Sequence, residues 1–196
     1  TANLFVSTDR SLSWRIVDYN FDNSAHYVKF SESGDLYVFG NNKVFHFSSV
    51  SSSWNTILDA SANIQELFIT NSDLIFVAVG DETSGTLFKS TDTGTTWHTA
   101  SLPYAKKLFE APQGWLLGAG GTLENPSASN SFISLNGGGS WSPIDINGPI
   151  YNFAVNANGD IFIGSDGLFR STNSGGTFQS IAPNRAHVYA VVSTLD

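Results

Sequence analysis

The stretch Ser90-Thr-Asp-Thr-Gly-Thr-Thr-Trp97 is the fullest copy of a phrase that recurs along the chain. Related copies cover residues 7–14, 134–141 and 171–178, and a shorter, degenerate copy covers 48–54. The aromatic residues that end the copies are Trp14, Trp54, Trp97, Trp141 and Phe178, so the spacings are 40, 43, 44 and 37 residues. Five copies at nearly one period indicate an internal repeat, and such a repeat determines the architecture.

Each repeat contains further apolar segments at matching places. An apolar pair precedes each copy of the phrase, as at Leu87-Phe88 and Leu168-Phe169, and an apolar run follows a turn earlier in the repeat, as at 73–77 and 160–163. These segments are short, rich in β-branched and aromatic residues, and bounded by Gly, Asn, Asp and Ser, as strands are. Helical periodicity is weak throughout. Each repeat therefore predicts four short strands.

Four-stranded repeats of about 40–45 residues are typical of β-propeller blades. We therefore predict an all-β fold: a single β-propeller domain, residues 1–196, with five four-stranded antiparallel blades. Four repeats cover about 24–58, 63–101, 105–145 and 149–181. The N- and C-terminal strands (residues 1–18 and 186–196) would share the closing blade. Because that blade lacks an obvious second strand, the alternative is a piece of a larger propeller.

Composition excludes several classes of function. The chain has 196 residues, 41% of them hydrophobic and 13% charged, and a net charge of −8. This charge argues against nucleic acid and anionic membranes as partners, and no apolar run reaches the roughly 20 residues of a membrane helix. Cysteine is absent, which removes disulfides, thiolate metal sites and cysteine nucleophiles. Methionine is absent too, so we expect that a leader or a longer N-terminal segment once preceded Thr1.

The phrase Ser-x-Asp-x-Gly-x-Thr-Trp resembles the Asp-box, or BNR repeat, of sialidases, sortilin-type receptors and xyloglucan hydrolases. An Asp or Asn side chain can accept downstream N–H groups, and a glycine can supply the positive φ of the turn. The resemblance implies peripheral structural boxes, away from any active site. The residues that carry it are Asp9, Trp14, Asp92, Gly94, Trp97, Asn136, Gly138, Trp141, Asn173, Gly175 and Phe178.

Enzymatic activity is not expected, and no catalytic residue is predicted. A sialidase resembling this family would need three arginines on the substrate carboxylate, and the four arginines of this chain include three in or beside boxes. The family's Arg-Ile-Pro motif is also missing, because Val17 follows Arg15-Ile16. A carboxylate-pair glycoside hydrolase stays open as an alternative, since it needs only two carboxylates about 5–10 Å apart.

Candidate ligand-binding residues lie in loops predicted to share one face, those between blades and those joining second and third strands. They are Tyr19, Asn41, Asn42, Asp81, Glu82, Tyr104, Glu124, Asn125, Asp166 and Asn184. Tyrosine can stack on sugars, and Asn and carboxylates can hydrogen-bond hydroxyls. No metal site is predicted, because the four histidines are scattered. No cofactor is expected either, with Ca²⁺ on Asp81-Glu82 or Asp166 left open.

The sequence favours a secreted or extracytoplasmic, lectin-like recognition module. Its expected partner is a glycan or an extracellular protein, and the chain could belong to a larger multidomain protein. The alternatives are a protein-assembly scaffold propeller and the glycoside hydrolase above.

Overall fold

The computed structural model describes residues 4–7, 9–22, 25–81, 84–100, 105, 107–119, 131–146, 148–182 and 187–192. Every regular element in these residues is a β-strand. None of the described segments forms a helix that could span a membrane.

The strands form one two-stranded sheet and four four-stranded antiparallel sheets, each with its strands in chain order. The two-stranded sheet pairs β1 (Phe5–Val6) with β2 (Arg15–Ile16). The four-stranded sheets are β3 (Tyr27–Phe30), β4 (Leu36–Gly40), β5 (Lys43–Ser48) and β6 (Ser53–Asp59); β7 (Ile64–Ile69), β8 (Ile75–Gly80), β9 (Gly85–Ser90) and β10 (His98–Thr99); β11 (Lys107–Glu110), β12 (Leu116–Ala119), β13 (Ser131–Ser134) and β14 (Ser142–Pro143); and β15 (Asn152–Val155), β16 (Ile161–Ser165), β17 (Gly167–Ser171) and β18 (Gln179–Ala182). The predicted all-β fold of four-stranded antiparallel units is confirmed.

The chain divides into two compact units, one comprising Thr1–Asp81 with Phe88–His98 and the other Glu82–Leu87 with Thr99–Asp196. In the first unit, Tyr37 and Phe39 of β4 belong to one core cluster with Val77 of β8, and the intervening Val38 belongs to another with Phe45. Successive side chains of a strand point to opposite faces, so an apolar middle strand is buried on both. Each such side chain stabilises the fold by about 1.5–3 kcal/mol.

The core of the second unit draws on strands from both of its last two sheets. Leu117 and Ile133 come from the third four-stranded sheet, and Phe153, Ile161 and Ile163 come from the fourth. All five side chains are buried, and Ile161 and Ile163 are fully so. This burial explains why the apolar runs noted in the sequence follow one another at the repeat period.

In each four-stranded sheet, the hairpin that joins the first strand to the second has the same kind of turn. In each, a residue with positive φ donates its N–H to the carbonyl oxygen three residues earlier, at 2.8–3.1 Å. The donors are Gly34, Asp73, Gly114 and Gly159. The sequence signals this turn weakly because Asp73 replaces glycine in one copy.

In three sheets a basic side chain on the third strand covers an aromatic ring on the second. The pairs are His46 stacked on Tyr37 with centroids 4.7 Å apart, Lys89 Nζ at 5.5 Å from the Phe76 centroid, and Arg170 at 5.7 Å from the Phe162 centroid. Such contacts stabilise by roughly 0.5–1 kcal/mol where exposed and more where buried. His46 and Arg170 each bind an aspartate that precedes the second strand: His46 Nε2 lies 2.7 Å from Asp35 Oδ2, and Arg170 Nη2 lies 2.5 Å from Asp160 Oδ2.

Residues 187–192 were predicted to form an inner strand, but they belong to none of the strands in the described structure. A backbone hydrogen bond joins it to β16, from the Val188 N–H to the Ser165 oxygen at 2.8 Å. A strand requires a ladder of such bonds. The sharing of a closing blade between this segment and the β1–β2 sheet stays a prediction.

Candidate functional site

Four copies of the repeated phrase form the same hydrogen-bonded turn. In each, the first serine donates its hydroxyl to the Asp or Asn two residues later and accepts the N–H four residues later, all at 2.8–2.9 Å. The Asp or Asn Oδ1 then accepts the N–H four residues beyond itself at 2.9 Å. The serines are Ser7, Ser90, Ser134 and Ser171, and their partners are Asp9, Asp92, Asn136 and Asn173. The turn is therefore closed by local bonds alone.

Asp and Asn are interchangeable here because a hydroxyl can reverse its role. The Thr96 hydroxyl donates to Asp92 Oδ2 at 2.6 Å, whereas the Asn136 amide donates to the Ser140 hydroxyl at 3.0 Å. The remaining two copies repeat these two arrangements. Side-chain and backbone hydrogen bonds from Thr96, with a further bond from Ser90, lower the pKa of Asp92 to about 2. A carboxylate engaged in this way holds a turn rather than exchanging protons near neutral pH.

The glycines of the boxes occupy left-handed backbone. Gly94, Gly138 and Gly175 have φ of 89°, 80° and 85°. A Cβ built on Gly94 would lie 2.5 Å from Ile57 Cδ1, and the Trp97 indole N–H donates to the Ile57 oxygen at 2.8 Å. The box ending at Trp97 is thus fastened to β6 by packing and by one hydrogen bond.

The other aromatic ends of the boxes differ in their environment. Phe178 packs against the core of the second unit, and Trp141 is partly buried. Trp14, in contrast, is 60% exposed.

Tyr19, predicted as a ligand residue, lies in an aromatic group of the first unit. Its ring is half-buried, with centroid distances of 5.1 Å to Phe21, 5.8 Å to Phe45 and 5.5 Å to Trp54. Most of this ring therefore contributes to packing.

Asn41 and Asn42 form the tight turn between β4 and β5. Asn41 has a φ of 46°, and its oxygen accepts the Ile64 N–H at 2.5 Å. The Asn42 amide donates to Asp59 at 2.8 Å and to the Ala60 oxygen at 3.0 Å. These contacts tie the turn to the chain that leaves β6.

Of the other candidates, Asp81 is exposed in the first unit, and five lie outside the described residues: Glu82, Tyr104, Glu124, Asn125 and Asn184.

One predicted ligand residue, Asp166, lies in a group of exposed polar and aromatic side chains. His187 Nδ1 is 2.7 Å from Asp166 Oδ1, and the Tyr151 hydroxyl donates to the same oxygen at 3.2 Å. Tyr189 completes the group, with its ring 4.7 Å from that of Tyr151 and 5.8 Å from that of His187. Tyr189 is 62% exposed. We call these four residues the Tyr151–Tyr189 cluster.

The end of β16 holds the three segments of this cluster together. The Gly164 oxygen accepts the Tyr151 N–H at 2.9 Å, and the Ser165 oxygen accepts the Val188 N–H at 2.8 Å. The carbonyl of Val188 lies directly against Gly164, where a side chain would collide with it. Asp166 follows as the turn into β17. The backbone therefore sets the spacing of the side chains.

Gly148 leaves space beside the Asp166 carboxylate because it has no side chain. A Cβ on this residue would lie 3.0 Å from Ser165 Oγ and 3.4 Å from Asp166 Oδ2, and its φ is 109°. Ser165 is fully buried, and its hydroxyl makes no hydrogen bond with the described residues. Partial burial, together with the hydrogen bond and the negative charge of Asp166, raises the pKa of Tyr151, so its hydroxyl is kept protonated as a donor.

Sequence reasoning finds Asp166 but misses Tyr151, His187 and Tyr189. The predicted shared face could have located Tyr151. Tyr151 immediately precedes the first strand of its sheet, and Asp166 lies between the second and third strands of the same sheet, so both belong to loops predicted to share that face. The pattern assigns Tyr189 to an inner strand instead, and the scattered histidines give no sign of acting with other residues. Within the described ranges no group of three or more His, Cys, Asp or Glu residues could hold a metal ion.

No family model and no curated protein matches this sequence. Solved structures do resemble it. A GH74 enzyme from Niastella koreensis matches over 99% of this chain and 31% of its own, with a TM-score of 0.67 and 16% identity. The extracellular domain of a putative one-component system from B. thetaiotaomicron matches over 90% and 25%, with a TM-score of 0.56 and 15% identity. YCF48 bound to D1 peptide matches over 93% and 62%, with a TM-score of 0.56 and 15% identity.

These neighbours are β-propeller proteins, and the chain shares their fold. At identities of 15–16% the likeness shows the fold alone. The chain spans less than two thirds of each of the three neighbours.

Proposed function

We propose that this chain is a non-catalytic recognition module that binds a glycan through the Tyr151–Tyr189 cluster. The observation that carries the proposal is the exposed grouping of two tyrosine rings with a carboxylate and an imidazole, on backbone fixed by the end of β16.

The chemistry of the cluster suits a sugar. A tyrosine ring offers a rigid apolar face that loses little conformational entropy on binding, and its hydroxyl reaches a polar partner. Asp166 offers acceptors for sugar hydroxyls, and His187 offers a ring nitrogen that can donate or accept. Asp166 Oδ1 already accepts the Tyr151 hydroxyl and faces His187, so the group is ordered before a ligand arrives. Such preorganisation lowers the cost of binding.

Two further features support parts of the proposal. One structural neighbour is an extracellular domain and another is a GH74 enzyme, which fits a secreted or extracytoplasmic, carbohydrate-related role for this chain. The boxes have the local bonding expected from their resemblance to Asp-boxes, and we assign them a structural role. No cofactor is part of the proposed function.

A protein-assembly scaffold is the second candidate. All four residues of β3 are exposed, and β3 is the first strand of its sheet, with Tyr27 and Phe30 60% and 70% exposed. An edge strand of this kind can accept an extended peptide through backbone hydrogen bonds. YCF48, a structural neighbour, was solved bound to a peptide. A carboxylate-pair hydrolase stays a prediction, since two of its candidate carboxylates, Glu82 and Glu124, lie outside the described residues.

A glycan-array screen of the purified chain, with and without Ca²⁺, tests the proposal. Tyr189→Ala should lower the affinity for any glycan bound by about ten-fold, corresponding to the loss of about 1.4 kcal/mol. Tyr27→Ala is the matched control, because Tyr27 is equally exposed but lies on β3. Equal losses in the two variants, or no glycan binding by a folded chain, would refute the proposed site. Binding that needs Ca²⁺ would add a cofactor that the proposal lacks.

A further inference from the structure

The hydrogen bonds inside the Tyr151–Tyr189 cluster use up its donors at one oxygen. His187 Nδ1 lies 2.7 Å from Asp166 Oδ1, and an ionised carboxylate can only accept, so Nδ1 carries the proton. The Tyr151 hydroxyl donates to the same oxygen at 3.2 Å. Neither of these two donors is therefore available to a ligand.

The groups that the cluster leaves for a ligand are acceptors. Asp166 Oδ2 and His187 Nε2 make no hydrogen bond with any residue that the structure describes, because the bonds of both side chains run through Oδ1 and Nδ1. With Nδ1 protonated, Nε2 of a neutral imidazole carries a lone pair. The Asp166 and His187 side chains are about half exposed. The cluster therefore suits a ligand group that is rich in donors.

The backbone beside the carboxylate keeps one side of Asp166 open. Gly148 has no side chain, and a Cβ at this position would lie 3.4 Å from Asp166 Oδ2 and 3.0 Å from Ser165 Oγ. The Ser165 hydroxyl is buried and has no hydrogen-bond partner among the described residues. A hydroxyl without a partner can turn its oxygen toward a positive charge bound nearby.

The charge and the rings of the cluster favour a cation as well. Partial burial, followed by the hydrogen bond and the charge of Asp166, raises the pKa of Tyr151, so Tyr151 adds no second negative charge. A carboxylate would repel an acidic sugar and attract a cationic one, and the net charge of the chain, −8, acts in the same direction. The exposed Tyr189 ring offers a face to which a cation is attracted.

We propose that the glycan bound by this cluster is cationic, and that the protonated amine of an amino sugar binds at Asp166 Oδ2. This inference rests on the proposed function and names the class of its ligand. An ammonium group has three donors and no acceptor, so it complements the acceptors that remain in the cluster. A sugar hydroxyl can occupy the same place, but it lacks the charge that Asp166 and the Tyr189 ring attract.

Titration calorimetry with three matched oligosaccharides tests the proposal near neutral pH. They share one β-linked glucose backbone and one length, and differ at C2, which carries an amine, an acetamide or a hydroxyl. The amine form should bind about ten-fold more tightly than the other two, as expected from an exposed ion pair and one cation–π contact together. The preference should narrow as the salt concentration rises, because salt screens exposed charges.

Asp166→Asn isolates the charge, because the amide oxygen can still accept the bonds from Tyr151 and His187. This variant should bind the three oligosaccharides with similar affinity. Glu32→Gln is the matched control, since it removes the same charge from an exposed side chain outside the cluster. It should keep the ten-fold preference if that preference arises at Asp166.

The outcomes separate this inference from the proposed function. If the unaltered chain binds the hydroxyl form as tightly as the amine form, or Asp166→Asn keeps the preference, the cationic ligand is wrong. Glycan binding that is lost in Tyr189→Ala would then still support the cluster as a glycan site. If a folded chain binds none of the three oligosaccharides and no glycan on the array, both the inference and the proposed function are overturned.

Discussion

Replacing Gly94 with alanine adds one methyl group at the tightest point of the box that ends at Trp97. Gly94 has a φ of 89°, in the left-handed region, and the new Cβ would lie 2.5 Å from Ile57 Cδ1 and 3.0 Å from Ile57 Cβ. The Cδ1 atom can rotate away, but Cβ is fixed by the backbone of β6. The substitution therefore combines backbone strain with overpacking.

The two contributions can be estimated separately. An L-residue in the left-handed conformation costs about 1–2 kcal/mol relative to glycine. Added volume in a packed site costs about 1–3 kcal/mol. We therefore expect Gly94→Ala to lower the free energy of unfolding by about 2–5 kcal/mol. Gly34→Ala provides the matched control, because Gly34 has a φ of 88° and none of the described residues places an atom within 4 Å of its added Cβ. Only the backbone contribution applies to it.

Urea denaturation followed by tryptophan fluorescence measures both variants, and Trp97 reports directly on the altered box. A Gly94→Ala variant no less stable than Gly34→Ala would refute the steric argument. A double variant that also carries Ile57→Ala sharpens the test. If the clash is the cause, Ile57→Ala should cost less stability in the Gly94→Ala background than in the unaltered chain, since contacting residues couple in such cycles.

Three further predictions follow from the polar contacts and the backbone of the cluster. Asp92 has a folded pKa of about 2, below its ordinary value, so its contribution to stability is present above about pH 4 and is lost as the pH falls toward 2; Asp92→Asn should keep the turn but flatten this part of the pH profile in urea melts, and a steeper profile would contradict the assignment. His46→Leu removes the imidazole from its buried contact with Asp35 Oδ2 and should destabilise by about 1–3 kcal/mol, the cost of a buried acceptor without its donor; Asp35→Leu should destabilise more, because Asp35 Oδ1 also accepts the Ser49 N–H and hydroxyl at 2.8 Å, and a smaller loss for Asp35→Leu in urea melts would contradict this ranking. Gly164→Ala should displace the Val188 carbonyl and weaken glycan binding in a titration, although Gly164 itself is not a ligand residue; an unchanged affinity would show that the position of this carbonyl does not affect the binding site.

The sequence predicts well what is encoded locally. Each box closes through bonds that span no more than four residues, so the residue types at those positions carry the whole turn. Ser90 shows the limit of that reasoning, because its buried hydroxyl both donates to Asp92 and accepts the Gly94 N–H. Serine is common in turns, and its recurrence signals the repeat without revealing this bridging role.

The Tyr151–Tyr189 cluster could not be predicted in the same way. Its members come from three segments, and Tyr151 and His187 are separated by 36 residues. Their meeting depends on two backbone bonds at the end of β16 and on the absence of a side chain at Gly164. No residue pattern within one segment encodes that convergence. The sequence supplies the turn that holds Asp166, while the tertiary structure supplies its neighbours.

An internal repeat allows some non-local contacts to be predicted from the sequence. The contact between Trp97 and Ile57 is non-local, because the partners lie 40 positions apart in the sequence. Once the structure shows it in one place, the repeat predicts equivalents. Phe178 packs against the cluster that contains Ile144, three residues after Trp141. The buried indole nitrogen of Trp141, in contrast, has no hydrogen-bond partner among the described residues. In a repeat protein a non-local contact seen once is therefore a prediction for the other repeats, and the side chain at each equivalent position decides whether the contact forms.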